Sequence, residues 1–135
     1  YVVNLVEVKN RNWAYIQEEM SRIVEVCRDR KTTSKVIFEN CYLTQEEKEK
    51  LCEISLEVLP DFIKTSTGFG TGGATVQDVA LMKDLVGGKI KIKAAGGIRT
   101  AEQALAMIEA GASRIGTSRG CEIIEQYKTI LQEGK

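Results

Sequence analysis

Apolar positions along this chain recur at two spacings, and the switch from one to the other divides it into short extended runs and longer amphipathic ones. Val2 to Val6 is a short apolar run that predicts a strand, and Asn12 is placed to cap a helix whose Ile16, Met20, Ile23, Val24 and Cys27 recur at helical spacing. Lys35 to Asn40 predicts a second strand. Thr44, with Glu47 three residues on, carries the signature of a capping box before a helix bearing Leu51, Ile54, Ser55 and Val58 and ended by Pro60. Phe62 and Ile63, lying between Pro60 and Gly68, predict a third strand that takes in Lys64. Thr75 with Asp78 repeats the capping offset and opens a helix through Val79, Met82 and Leu85, closed by Gly87-Gly88. From Lys89 to Lys93 lysine alternates with isoleucine, so a fourth strand sets Lys89, Lys91 and Lys93 on one face and Ile90 and Ile92 on the other. Thr100 leads into a helix over Ala101 to Ala110, with Ala104, Leu105 and Ile108 as its apolar stripe and Gly111 as its stop. Ser113 to Thr117 predicts a fifth strand, and a helix over Ile123 to Leu131 follows it.

Five strand-helix units in alternation predict an α/β fold with a parallel sheet and right-handed crossovers, in which function collects at the strand C-termini. No linker or low-complexity segment interrupts residues 1–135, which read as a single α/β domain. A content of 43% hydrophobic and 28% charged residues is ordinary for a globular chain. The 19 basic and 19 acidic side chains cancel, so no bulk field draws nucleic acid or an anionic membrane, and anion recognition has to be local. No apolar run reaches the roughly 18 to 20 residues of a membrane span, and Tyr1 to Leu5 carries no basic n-region. Cys27, Cys41, Cys52 and Cys121 form no CxxC pair and the chain has no histidine, so neither a zinc site nor a disulfide framework is signalled. Cys41 likewise has no histidine with which to form a thiolate pair. A reducing cytoplasm is the expected home.

Lys64 changes the picture, because it closes an apolar strand just before the hydroxyl-and-glycine turn Thr65-Ser66-Thr67-Gly68. Desolvation there disfavours the ammonium and frees the amine to attack a carbonyl. A lysine on a solvated strand face is the competing reading. Lys93 holds the same place on its own strand, before Gly96-Gly97, so in one parallel sheet the two strand ends meet and each cation lowers the other's proton affinity.

These residues resemble a known family. Lys64-Thr65-Ser66-Thr67-Gly68-Phe69 with Thr71-Gly72-Gly73-Ala74-Thr75, then Lys93-Ala94-Ala95-Gly96-Gly97-Ile98-Arg99-Thr100, then Ala110-Gly111-Ala112-Ser113-Arg114-Ile115-Gly116-Thr117-Ser118, are similar in order and spacing to deoxyribose-phosphate aldolases. The resemblance runs from Tyr1 to about Gly120. It implies a (β/α)8 TIM barrel and a class I aldolase that cleaves 2-deoxyribose 5-phosphate to acetaldehyde and glyceraldehyde 3-phosphate, with no cofactor and no metal. It also implies Lys64 as the Schiff-base amine and Lys93 as the second lysine that tunes it. Thr67, Gly68, Gly96, Gly97, Gly116 and Ser118 would bind substrate and its phosphate. Partners would be a sugar phosphate and an aldehyde, with a homodimer as the expected assembly.

Several residues keep two readings. Glycines after strands also make tight turns with no ligand, which is the preferred reading for Gly72-Gly73 and Gly87-Gly88. Asn4, Thr65 and Thr67 can bond substrate hydroxyls or simply their own turns. Glu39 could stand in for an acid, with an ion pair to a lysine preferred, and Arg119 has no assigned role. Five units do not close an eight-stranded barrel, and the family's proton-moving acid would fall immediately before Tyr1. The expectation is therefore an incomplete barrel whose turnover alone is not implied. A naturally short open sheet, or a phosphate-binding half-barrel without catalysis, is the alternative.

Overall fold

A computed structural model describes residues 1–133. Four parallel strands, β1 (Lys35–Ile37), β2 (Phe62–Lys64), β3 (Lys91–Ala95) and β4 (Arg114–Gly116), lie side by side in chain order. Six α-helices accompany them: α1 (Leu5–Lys9), α2 (Trp13–Asp29), α3 (Gln45–Val58), α4 (Val76–Val86), α5 (Ala101–Glu109) and α6 (Gly120–Glu133). Helices α3, α4 and α5 are the crossovers between successive strands, as alternation of the two spacings requires.

The helix starts follow the local chemistry. Thr44 and Glu47 form a full capping box on α3, and Thr100 with Gln103 forms a second on α5. Thr75 accepts from the Asp78 amide on α4, but the Asp78 carboxylate turns to Lys48 at 2.6 Å, which joins α4 to α3 instead of completing a box. Helix α3 ends at Leu59 in the left-handed conformation (φ 60°) with Pro60 next, and α4 ends at Gly87 (φ 60°).

Strand alternation divides the sheet into two faces. Val36, Ile63, Ile92 and Ala94 are buried with Leu51, Val79, Met82 and Met107 in the core between sheet and helices. Lys35, Phe62, Lys64, Lys91 and Lys93 share the other face by parity and register.

The N-terminal strand expected over Val2 to Val6 does not form. A single parallel bridge pairs Val2 with Ile37, and the chain turns at Asn4, whose side chain accepts from the Val6 and Glu7 amides and starts α1 at Leu5. A capping asparagine followed by a first-turn glutamate outweighed the apolar run. The sheet thus has four strands and one bridge where five strands were expected. The second strand also stops early, at Ile37, because Glu39 adopts a left-handed backbone (φ 57°) and starts a 3-10 turn over Asn40–Tyr42.

Candidate functional site

Backbone register builds the site. Lys64 ends β2 and lies directly opposite Lys93 on the adjacent parallel strand β3. Parallel pairing in register directs both side chains to the same face, away from the apolar core. Both are half-buried. Gly116 on β4 makes room for the second of them: a Cβ there would sit 2.9 Å from Lys93 Cε and 2.8 Å from Ala95 Cβ.

The Lys64 amine is held below the ordinary lysine range, first by burial, then by the charges of Lys93 and Lys35, against an opposing pull from Glu39. Lys35 is itself lowered, by burial and then by Arg114 and Lys93. The face is therefore cationic throughout, and among the described residues none of Lys35, Lys64, Lys91, Lys93 or Arg114 forms an ion pair. At the opposite end of the strands the Phe62 ring receives three cations, with Lys35, Lys91 and Arg114 centred 5.2, 5.7 and 4.5 Å from its centroid.

Beyond the strand ends lies a cleft of about 460 Å³. It gathers Lys64, Thr67, Gly68, Gly96, Gly97, Gly116 and Ser118, and leaves Lys93 just behind its wall. Gly96 and Gly97 both have positive φ (88° and 78°), which an L side chain rarely adopts, and so leave their backbone uncovered at the cleft. Gly73 packs against this turn without facing the cleft. A Cβ on Gly73 would lie 2.2 Å from the Gly96 oxygen, and Ala74 N donates to the oxygens of Ala95 (3.1 Å) and Gly96 (3.0 Å).

The structure separates the three hydrogen-bonding candidates. Asn4 is consumed as a helix cap. Thr65 is fully buried, and its hydroxyl donates to Ala95 O and accepts from Ala95 N, both at 3.2 Å, and from Ser66 Oγ at 3.1 Å, so it ties β2 to β3 and has nothing left for a ligand. Thr67 alone lines the cleft. Glu39 takes no lysine. Its carboxylate accepts from the Thr67 amide at 3.1 Å and from the Thr67 hydroxyl. Arg119 faces outward and pairs with Glu122 at 3.2 Å, whereas Thr117, within the glycine turn after the last strand, and Arg99, which had no assigned role, line the cleft. Arg99 stands two residues after the Gly96-Gly97 turn, and its place in the second motif could have nominated it.

A half-buried amine with lowered proton affinity, beside backbone amides at glycine turns, can attack a carbonyl while an anionic group is held a short distance away. Comparisons with known proteins bear on this arrangement. The family model for dihydroorotate dehydrogenase matches residues 14–133. A deoxyribose-phosphate aldolase of Lactobacillus acidophilus is 52% identical over 98% of this chain and 56% of its own length. One from Thermococcus kodakarensis is 56% identical over 92% of this chain and 55% of its own. The solved structure of QR15, an aldolase, superposes with a TM-score of 0.87 at 44% identity, covering 99% of this chain and 60% of that one. A dihydroorotate dehydrogenase of Eimeria tenella, at 22% identity and a TM-score of 0.63, shares the fold alone. The chain spans about half the length of the curated relatives it matches.

Proposed function

The chain belongs to the deoxyribose-phosphate aldolase family, with the fold of part of a (β/α)8 barrel that the dihydroorotate dehydrogenase model also matches, and on that premise we propose that it carries a Schiff-base lyase site. The reaction is reversible cleavage of 2-deoxy-D-ribose 5-phosphate to acetaldehyde and D-glyceraldehyde 3-phosphate, in deoxyribonucleotide breakdown. The observation that carries the reading is the Lys64–Lys93 register, which supplies a half-buried amine at the cleft and beside it a cation that lowers its proton affinity further.

In this mechanism Lys64 Nζ attacks the aldehyde form of the sugar phosphate, water leaves, and the protonated imine accepts the electron pair of the breaking carbon–carbon bond. As that bond breaks the hydroxyl on the cleaved carbon gives up its proton and glyceraldehyde 3-phosphate departs as the aldehyde, leaving an enamine whose carbon then takes a proton. Hydrolysis of the remaining imine then releases acetaldehyde and regenerates the amine. Lys93 holds the Lys64 amine in its reactive state and assists proton transfer. Gly68, Gly96, Gly97, Gly116 and Ser118 would receive the phosphate on their backbone amides, Arg99 adds a charge at the rim, and Thr67 meets a substrate hydroxyl. The setting is a metal-free cytoplasmic enzyme that self-associates. Among the described residues no helix is long and apolar enough to cross a membrane.

Acetaldehyde with borohydride tests the reading directly. Reductive labelling of Lys64 is expected, read by peptide mass, with loss of that label in Lys64→Ala. Labelling spread evenly over the surface lysines, or unchanged in Lys64→Ala, would remove the Schiff-base assignment.

A further inference from the structure

Glu39 is 4% exposed and keeps a left-handed backbone (φ 57°), a conformation that a non-glycine residue holds only where its surroundings over-determine it. Those surroundings are the turn that follows Lys64. Glu39 Oε1 accepts from Thr67 N at 3.1 Å, Glu39 Oε2 accepts from Thr67 Oγ1, and Thr67 Oγ1 in turn accepts from Phe69 N at 3.0 Å. Gly70 lets the same loop fold down onto the carboxylate, since a Cβ there would lie 3.2 Å from Glu39 Oε1 and 2.9 Å from Cys41 Sγ. Both oxygens are thereby spent on one turn. A buried carboxylate beside several cations would ordinarily be expected to pair with one of them. Here it is committed to the loop, and it reaches the amines only through its field.

We propose that Glu39 is a positioning residue of the imine site: it fastens the Thr67–Phe69 turn in its ligand-receiving shape while its negative charge bears on Lys64. The inference rests on the Schiff-base reading of Lys64 given above. The carboxylate lies beside the Cys41 thiol of the 3-10 turn, and its charge reaches Lys64 on β2, on which Lys93 of β3 and Lys35 of β1 also act. Lys93 and Lys35 push the Lys64 amine toward its neutral form, and Glu39 is the group that opposes them. The two roles predict opposite signs on removal. Losing the charge makes Lys64 easier to deprotonate, while losing the fastening weakens ligand binding.

The test uses the full-length protein with Glu39→Gln and Thr67→Val, measuring acetaldehyde–borohydride labelling of Lys64 against pH and the KM and kcat for deoxyribose 5-phosphate. Glu39→Gln should move the labelling midpoint to lower pH and raise KM roughly tenfold, the loss of one charge-assisted hydrogen bond. Thr67→Val should raise KM without moving the midpoint. In the unaltered protein the amides of Thr67 and Phe69 should exchange slowly with solvent deuterium even though the Phe69 side chain is 97% exposed. That last readout holds even where a variant fails to fold. A labelled protein whose Glu39→Gln profile and KM match the unaltered ones, or rapid exchange at both amides, would overturn the role of Glu39 alone. An unaltered protein that does not label at Lys64 would overturn the imine reading beneath it.

Discussion

The two faces of one sheet obey different rules. On the helix-covered face, Ile63 and Ile92 are fully buried, neighbouring strands meet through hydrocarbon, and any apolar group of similar volume would serve. On the other face, one residue further along each strand, Lys64 and Lys93 stand opposite each other with no carboxylate partner among the described residues. Like charges held side by side cost stability, so the second face gives up some of what the first supplies. The difference teaches where to look for chemistry in an alternating strand: at the residues whose polarity contradicts the burial of their neighbours.

Changes that cross the two faces separate their contributions. The largest effect on the reactive face is expected from Lys93→Met, which should cut cleavage by about 10²- to 10⁴-fold if the lysine assists proton transfer. Because the Lys93 charge lowers the Lys64 amine, its removal should also shift imine formation to higher pH, the opposite direction from Glu39→Gln. Steady-state kinetics and trapped label against pH report the two effects separately; an unmoved midpoint would mean that the Lys93 charge does not tune the amine. On the packed face, Ile63→Ala should cost about 2–5 kcal/mol by denaturant titration, through lost transfer energy and the cavity left behind. Its folded fraction should still label at Lys64. Loss of labelling in step with the remaining folded protein would be acceptable, but loss beyond it would show that the two faces are not separable.

The smallest effect belongs to the base of the sheet. Asp61 accepts from the Ser34 amide and hydroxyl, each at 2.8 Å, and these bonds hold its carboxyl below the usual carboxylate range. A lowered folded-state value means stabilisation that is present above the unfolded carboxylate's titration and lost as pH falls through the folded one. Asp61→Asn should therefore be less stable than the unaltered protein at neutral pH, with the gap closing on acidification. Asp61 is exposed, so solvent screening keeps the gap small.

Period-two alternation made the Lys64–Lys93 pairing legible, because a parity argument on two strand ends needs only that the strands be parallel and in register. Capping chemistry was legible at Thr44 and Thr75 for the same reason: it is local. At Asn4 two local signals conflicted, and the apolar run was read in place of the cap. What stayed hidden depended on the backbone's third dimension. Nothing in Phe38-Glu39-Asn40 announces a left-handed residue, so the fastening of Glu39 to a turn 28 positions later could not be read from sequence. Thr65 and Thr67 look alike in the motif, and only the structure shows that one hydroxyl bridges strands while the other is held by Glu39 in a residue that lines the cleft.

The strand order has a consequence for how this sheet comes into being. Each strand pairs with the next one in the chain, so every pairing closes a loop of roughly 20–30 residues and meets a similar closure entropy. Among these four strands no pairing has to await a distant segment. Each new strand finds its template already laid and its crossover helix already at hand, which favours vectorial assembly as the polypeptide emerges from the ribosome. Lys64 and Lys93 then come into register at the second of the three pairing steps, before β4 has docked.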